Sequence, residues 1–417
     1  MTMSFAPLRH RSFALMWSAA FVSNIGTWME TVALGYYVTD VTGKAAWSAV
    51  IAAAGFVPMA LLSPVGGALA DRGSRRRLMF ITTSVQAILA GVIAVLTAVG
   101  EPHPGVVALI VLGSGFASAI GFPAYMAMIP DLVPADELVA AVGLGSAQWN
   151  LGRVIGPAVA GVVMAIGGIP WALGINAASF FAVLIALTMI DVGTRPITTQ
   201  HQRLRTAIAD GARFVRAEPG LWLVFRIMCL TSLLGAPFIA LLAAMTVKEL
   251  DGGSATNAVL VTAQGIGAVV VALSMGDLVK RHGSRKVLSI GLAALVVSLV
   301  VYAAAPNTAL VALALIPLGG AYLACLTSYT TIAQQRAPGA LRGRVVSLNA
   351  MILGSLYPLG ALVQGRLADA YGLRRVTAGA AVILGVVLIG SRLIRPDIMH
   401  PLDVPPSSDD VPMPMEA

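Results

Sequence analysis

Glu30 and Arg153 are the residues of this 417-residue sequence best placed to do chemistry, because each stands in an apolar run where charge is costly. An ionisable side chain at bilayer depth costs about 2.5 kcal/mol or more, so such groups usually face a cavity or a partner. A carboxylate in a low-dielectric cavity holds its proton more tightly, and a nearby guanidinium loosens it again. Moving the two apart would let Glu30 take up a proton. Arg153 lies about 15 residues into its run, or roughly 22 Å at 1.5 Å per residue. The competing reading is a static structural pair, or a Glu30 near the headgroups. Arg226, close to the start of its run, is expected to snorkel to the surface.

The elements that must hold these groups follow from composition. Hydrophobic residues make up 58% of the chain and charged residues 11%, with a mean hydropathy of +0.86. That is too little charge to cover a water-facing surface of this size. The apolar runs predict twelve membrane-spanning helices near 13–39, 46–70, 78–99, 105–129, 138–166, 171–191, 221–246, 255–279, 287–304, 309–333, 345–368 and 376–394. The expected domains are a six-helix bundle over 1–191, a linker over 192–220, a second bundle over 221–395 and a disordered cytoplasmic tail over 396–417. With both termini in the cytoplasm, 20 Lys and Arg fall in cytoplasmic segments and 5 in external ones. That bias sets the orientation and explains the net charge of +8 without nucleic acid. Within the linker, Leu204, Ala207, Ile208, Gly211, Ala212 and Val215 recur at helical spacing beside Arg203, Arg213 and Arg216. This suits a helix on the membrane surface; a solvated connector is the alternative. Cys229 and Cys325 are expected to be core thiols.

Two strings repeat at an offset of half the chain. Gly67-Ala-Leu-Ala-Asp71-Arg72-Gly-Ser-Arg75-Arg76-Arg77 is matched by Gly276-Asp-Leu-Val-Lys280-Arg281-His-Gly-Ser-Arg285-Lys286. Such a repeat in an apolar chain predicts two pseudo-symmetric halves. Gly365-Arg-Leu-Ala-Asp369 imitates the same string at the outer end of the eleventh span and is not counted as a third copy. In the fifth span, Gly152, Gly156, Ala160 and Gly161 leave room for another helix, and Pro157 loosens the backbone.

The segment 67–77 resembles the loop signature between helices 2 and 3 of the major facilitator superfamily, with Ser74 in place of the usual Gly. Gly152-x-x-x-Gly156-Pro157-x-x-Ala160-Gly161 resembles that superfamily's antiporter motif. Further likeness through Ser23–Met29, Ile129–Pro134 and Arg342–Arg344 points to the exporter branch that includes the enterobactin exporter and the macrolide-efflux proteins. The resemblance implies an all-α integral membrane fold of two six-helix bundles, working by alternating access as a monomer in the inner membrane.

Polar and aromatic residues at cavity depth are Asn24, Tyr36, Gln148, Asn150, Tyr322, Thr327, Tyr329 and Gln334, a set that suits an amphipathic organic molecule. Helix-packing contacts are the plainer role for each. Opposite charges on the inner loops suggest two latches across the halves. One joins Asp71 to Arg342 or Arg344 and to the N-terminus of their helix, whose dipole contributes about 0.3–1 kcal/mol. The other joins Lys280 or Arg281 to Asp136 or Glu137, near Asp131. Both would close the cytoplasmic side.

The chain has no Gly-x-x-x-x-Gly-Lys-Ser/Thr loop, no His-Glu-x-x-His pair and no Gly-x-Ser-x-Gly nucleophile. An ATP-driven machine and an intramembrane enzyme are therefore disfavoured, and no cofactor or metal is expected. The function expected is proton-coupled export of an amphipathic compound such as a siderophore or antibiotic. The alternatives are a lysophospholipid or small-solute importer, and a transport-dead sensor or scaffold.

Overall fold

The computed structural model describes residues 5–190 and 204–403, and every regular element among them is helical. The first half holds α1 (Arg11–Thr42), α2 (Ala45–Arg72), α3 (Arg75–Val99), α4 (Pro104–Leu132) and α5 (Leu138–Met189). The connector is α6 (Leu204–Ala217). The second half holds α7 (Pro219–Leu230), the single turn α8 (Leu242–Ala244), α9 (Ser254–Ala304), α10 (Thr308–Arg336), α11 (Gly339–Tyr371) and α12 (Leu373–Ile394). Side chains such as Ile166, Leu273 and Leu393 point outward, as a surface solvated by lipid requires.

Helix follows the predicted spans except in the seventh, and among the described residues eight runs meet the length and apolarity needed to cross a bilayer. Two of the eight are double. In α5 the chain turns at Gly168 (φ 75°), and in α9 at Gly283 (φ 76°), left-handed backbone that a Cβ would strain. Both fall at predicted breaks. The helices α1 and α11 lie outside the set of eight.

Local chemistry sets several helix starts. Ser74, the departure from the loop signature, caps α3 by accepting from Arg77 N at 3.3 Å. Asn307 caps α10 in the same way, accepting from Leu310 N at 3.0 Å. The seventh span, expected to be continuous over 221–246, is broken. After α7 come a π turn (Thr231–Gly235) and a 3-10 turn (Ala236–Phe238) around Pro237, which has no N–H to give. Gln364 on α11, itself buried, donates to the carbonyls of Leu233 (2.9 Å) and Leu234 (3.2 Å) beside the break. No water is needed there to satisfy them.

The start of the tail is ordered, contrary to expectation, because a buried charge holds it. Pro396–Leu402 forms a 3-10 helix whose Pro401 carbonyl accepts from Arg336 Nη2 at 2.6 Å. The same guanidinium donates to Glu218, with Nη2 at 2.8 Å and Nε at 3.1 Å, while Glu218 caps α7 through Leu221 N. Arg336 thus ties the start of α7, the end of α10 and the tail together. Arg336→Ala should lower stability by about 3–5 kcal/mol, because it leaves the largely buried Glu218 with no counter-charge. Thermal unfolding of the purified protein reads this, and adding Glu218→Ala should recover part of the loss.

The connector packs on protein as well as facing outward. In α6, Gly211 lies against Leu348 and Arg344 of α11, Val215 is buried, and Asp210 pairs with Arg344 at 3.2 Å. Arg213 is exposed and Arg216 sits over the Trp222 ring at 5.6 Å; Arg203 lies outside the described residues. Asp210→Asn should speed amide exchange across 209–217 about two- to fivefold, the range a partly exposed pair commands.

Candidate functional site

The halves meet along α2 with α11 and along α5 with α9. The first seam has a regular antiparallel register. Gly365 lies against Ala49, Gly354 against Ala60, and Phe56 meets Tyr357 edge-on at 5.7 Å. In the second seam Gly161 of α5 meets Ala258 of α9, and a Cβ at Gly161 would collide with it. Gly152 and Gly156 serve a different contact, inside the first half. A Cβ on Gly156 would stand 2.6 Å from Trp28 Cβ and 2.8 Å from the Ile25 carbonyl of α1. Pro157, one position on, is buried. The small-residue stretch of α5 therefore packs both within a half and across to the other.

Glu30 does not meet Arg153. Its carboxylate accepts a hydrogen bond from Asn176 Nδ2, on the part of α5 beyond Gly168, and among the described residues no cation pairs with it. Gly26, one turn before Glu30, makes room for Asn176 and Ser179, whose hydroxyl donates to the Asn176 carbonyl at 2.7 Å. The expected ion pair is thus replaced by a carboxylate–amide contact inside the first half. Sequence reasoning misses Asn176. Its signal is an amide in the apolar first half of the 171–191 span, one turn before Ser179.

Arg153 looks the other way. Gly161, eight residues on and roughly 80° further round α5, touches the second half. The groups close enough to act electrostatically on the guanidinium are the phenols of Tyr322 (α10) and Tyr357 (α11). Aromatic rings back both phenols, Phe238 beside Tyr322 at 5.9 Å and Phe56 beside Tyr357. The other cavity candidates scatter. Asn24 packs on Gly152, Gln148 accepts from Tyr125 OH at 3.3 Å, and Tyr36 donates to Asp40 at 3.4 Å. Tyr329 is sealed in the second half against Thr231 Oγ1 at 3.0 Å, Thr327 is half-buried and Gln334 is exposed. The Asn150 side chain lies outside the described residues.

At the arginine-rich end the charges pair within halves. Arg75 donates to Asp131 at 2.7 Å and to the Ala127 carbonyl at 2.8 Å, clamping α3 to α4, and Arg76 reaches the Thr188 carbonyl at 3.2 Å. The latch expected between Lys280 or Arg281 and Asp136 or Glu137 is absent. Glu137 finds His10 at 3.1 Å, the nearer base, while Asp136, Gly276, Lys280 and Arg281 make no such contact. Of the other latch, the side chains of Asp71, Arg72 and Arg342 lie outside the described residues, and Arg344 pairs with Asp210. Gly67, on the last turns of α2, has open space beside it.

The opposite end carries a charged contact across the halves. Asp369, at the end of α11, accepts from Ala45 N (2.7 Å) and Ala46 N (3.0 Å) at the start of α2, and from Lys248 Nζ (2.6 Å). It caps a helix whose own N-cap residue, Lys44, offers no acceptor. Burial pushes its carboxyl up, but Lys248 and the two backbone donors outweigh this and leave it below the usual carboxylate value. Its signal in the sequence is the Gly365–Asp369 string, the imitation not counted as a repeat.

Residues 2–415 match the family described as transmembrane secretion effector. The chain is 26% identical over 383 residues to the multidrug efflux pump Tap of Mycolicibacterium fortuitum, covering 89% of this chain and 93% of Tap. It is 27% identical over 419 residues to the enterobactin exporter EntS of Escherichia coli O9:H4, covering 95% of each. Its fold superposes on the crystal structure of the nucleoside transporter NupG with a TM-score of 0.70 at 16% identity, covering 94% of this chain and 100% of that one.

Proposed function

Because the chain belongs to the transmembrane secretion effector family of the major facilitator superfamily, we propose that it is a proton-coupled exporter of an amphipathic organic compound, working by alternating access. It is a multi-pass membrane transporter and not an enzyme. Export is favoured by the relatives named as an efflux pump and an exporter. One observation carries proton coupling: Glu30 is a carboxylate at membrane depth whose partner is a neutral amide. A carboxylate so placed changes charge when water reaches it on one side and not the other. The arginine-rich end faces the cytoplasm on this reading, with both termini there. The Asp369 contact then closes the external side, and the state described is the one open inward.

The cargo is found by deleting the gene and screening growth against a panel of siderophores, antibiotics and other amphiphiles, with extracellular metabolites profiled. Sensitivity, or loss of one secreted compound, restored by the wild-type gene identifies it. A deletion that changes neither would favour a sensor or scaffold.

A further inference from the structure

Arg153, Tyr322 and Tyr357 form a group with an unusual balance of hydrogen-bonding atoms. Among the described residues the Arg153 guanidinium makes no hydrogen bond and no ion pair, and neither phenol hydroxyl has a hydrogen-bond partner. The three act on one another electrostatically, so they are neighbours across the seam. A guanidinium carries five N–H donors and no acceptor, and each phenol can donate a further proton. The carboxylate expected to neutralise the arginine, Glu30, is bonded to Asn176 instead. A phenol oxygen can accept as well as donate, but it carries no charge, and a cation at bilayer depth with only neutral phenols beside it is unfavourable unless an anion comes from outside the protein.

Resting on the transporter reading above, we propose that this cluster is the anion-binding part of the cargo site. The cargo presents an anionic oxygen group, a carboxylate or a group of like geometry, to the Arg153 fork. Tyr322 and Tyr357 donate to the remaining lone pairs. Planar guanidinium matches such a group with two parallel hydrogen bonds. The half-buried Phe56 ring beside Tyr357 takes the apolar body next to it, while Phe238, buried, supports Tyr322 from behind. The contacts come from α5 in one half and α10 and α11 in the other, so the bound anion would bridge the two bodies that move.

The test uses the full chain in nanodiscs, with empty nanodiscs as the blank. The probes are 11-(dansylamino)undecanoic acid, its methyl ester, and the same body ending in trimethylammonium. The wild type should bind the acid about tenfold or more tighter than the ester and the ammonium, as a charge-assisted hydrogen bond to a desolvated cation implies. Arg153→Gln should erase that preference with ester affinity unchanged, and Arg153→Lys should keep part of it. If Arg153→Gln does not fold, Tyr322→Phe combined with Tyr357→Phe should still cut the preference several-fold. A wild type that binds none of the three, or favours the ester or the ammonium, overturns the proposal, and so does an acid preference surviving in Arg153→Gln. An acid preference that disappears when phosphatidylglycerol is added would assign the site to a lipid headgroup and overturn the cargo assignment. The gene-deletion screen stands apart from these results: neutral compounds exported normally would leave the transporter reading intact while the anion site fell.

Discussion

Glu30→Gln should reduce proton-driven uptake into inverted vesicles to the level of vesicles lacking the protein, with cargo binding kept within a few-fold of wild type. The amide has nearly the shape of the carboxyl and can still accept from Asn176, so packing against Gly26 and Ser179 is preserved. What is lost is the ability to gain and lose a proton. Asn176→Ala removes the donor instead and leaves a membrane-depth carboxylate with no partner, at a cost of about 1–3 kcal/mol. That variant should transport, but with its pH dependence displaced to higher pH, because the charged form has lost its hydrogen bond. A Glu30→Gln protein that follows the proton gradient as the wild type does would remove this residue from the mechanism. Substrate-driven proton movement in liposomes is the direct measurement.

The second large effect is expected at the other side of the membrane. Asp369→Asn discards the charge that holds two helix N–H groups and the Lys248 ammonium. Hydrogen bonds to charged groups are worth about 1.5–3 kcal/mol each. Even a net loss of about 2 kcal/mol would shift the balance of conformations roughly thirtyfold toward the externally open state. Spin labels at Glu101→Cys and Pro306→Cys, on the ends of the two halves that the proposed orientation places outside and in a background without Cys229 and Cys325, report this as a longer distance population. Lys248→Met should do less, since the backbone donors remain. The sign with pH also follows. A carboxyl held below its usual value contributes fully above that value and is lost only as pH falls through the lowered one. The contact should therefore persist between about pH 5 and 8 and take no part in proton coupling. An unchanged distance distribution in Asp369→Asn would show that helix packing alone closes this end.

Much of this architecture is legible because membrane helices are written in long apolar runs with glycine at the turns, and Gly168 and Gly283 stand where the runs stop. The break in the seventh span is readable in Pro237 but is masked by the uniform apolarity around it. Pairing is harder. Glu30 and Arg153 both sit at depth in spans packed on one another, and opposite charge invites joining them. Which way each points depends on helix rotation, and one residue along a helix turns a side chain by about 100°. Gly152 faces α1, so Arg153, about 100° further round, turns away from it, toward Tyr322 and Tyr357 of the second half. The inner charges mislead for another reason. Loop charge follows topology, and a loop acid such as Glu137 takes the base that folding brings nearest, here His10.

The register between α2 and α11 gives the Gly365–Asp369 string a meaning beyond its local contact. These helices run antiparallel, and the spacing that sets Ala49 against Gly365 and Ala60 against Gly354 would, carried on, set position 71 opposite position 343. Each helix carries Gly-x-Leu-Ala-Asp near its end; Asp369 reaches the first turn of α2, and on the proposed alternating-access reading position 71 would come to the first turn of α11 when the inner side closes. On that reading, the resting poise of the transporter would be a small difference between two closely similar terms, one made when the other is broken. A protein built so is retuned cheaply, because a single substitution at either end tips it while leaving the path between the states intact. Removing both carboxylates at once should restore a nearly even distribution and quicken the exchange, since neither end then has a charge to release before the halves rock.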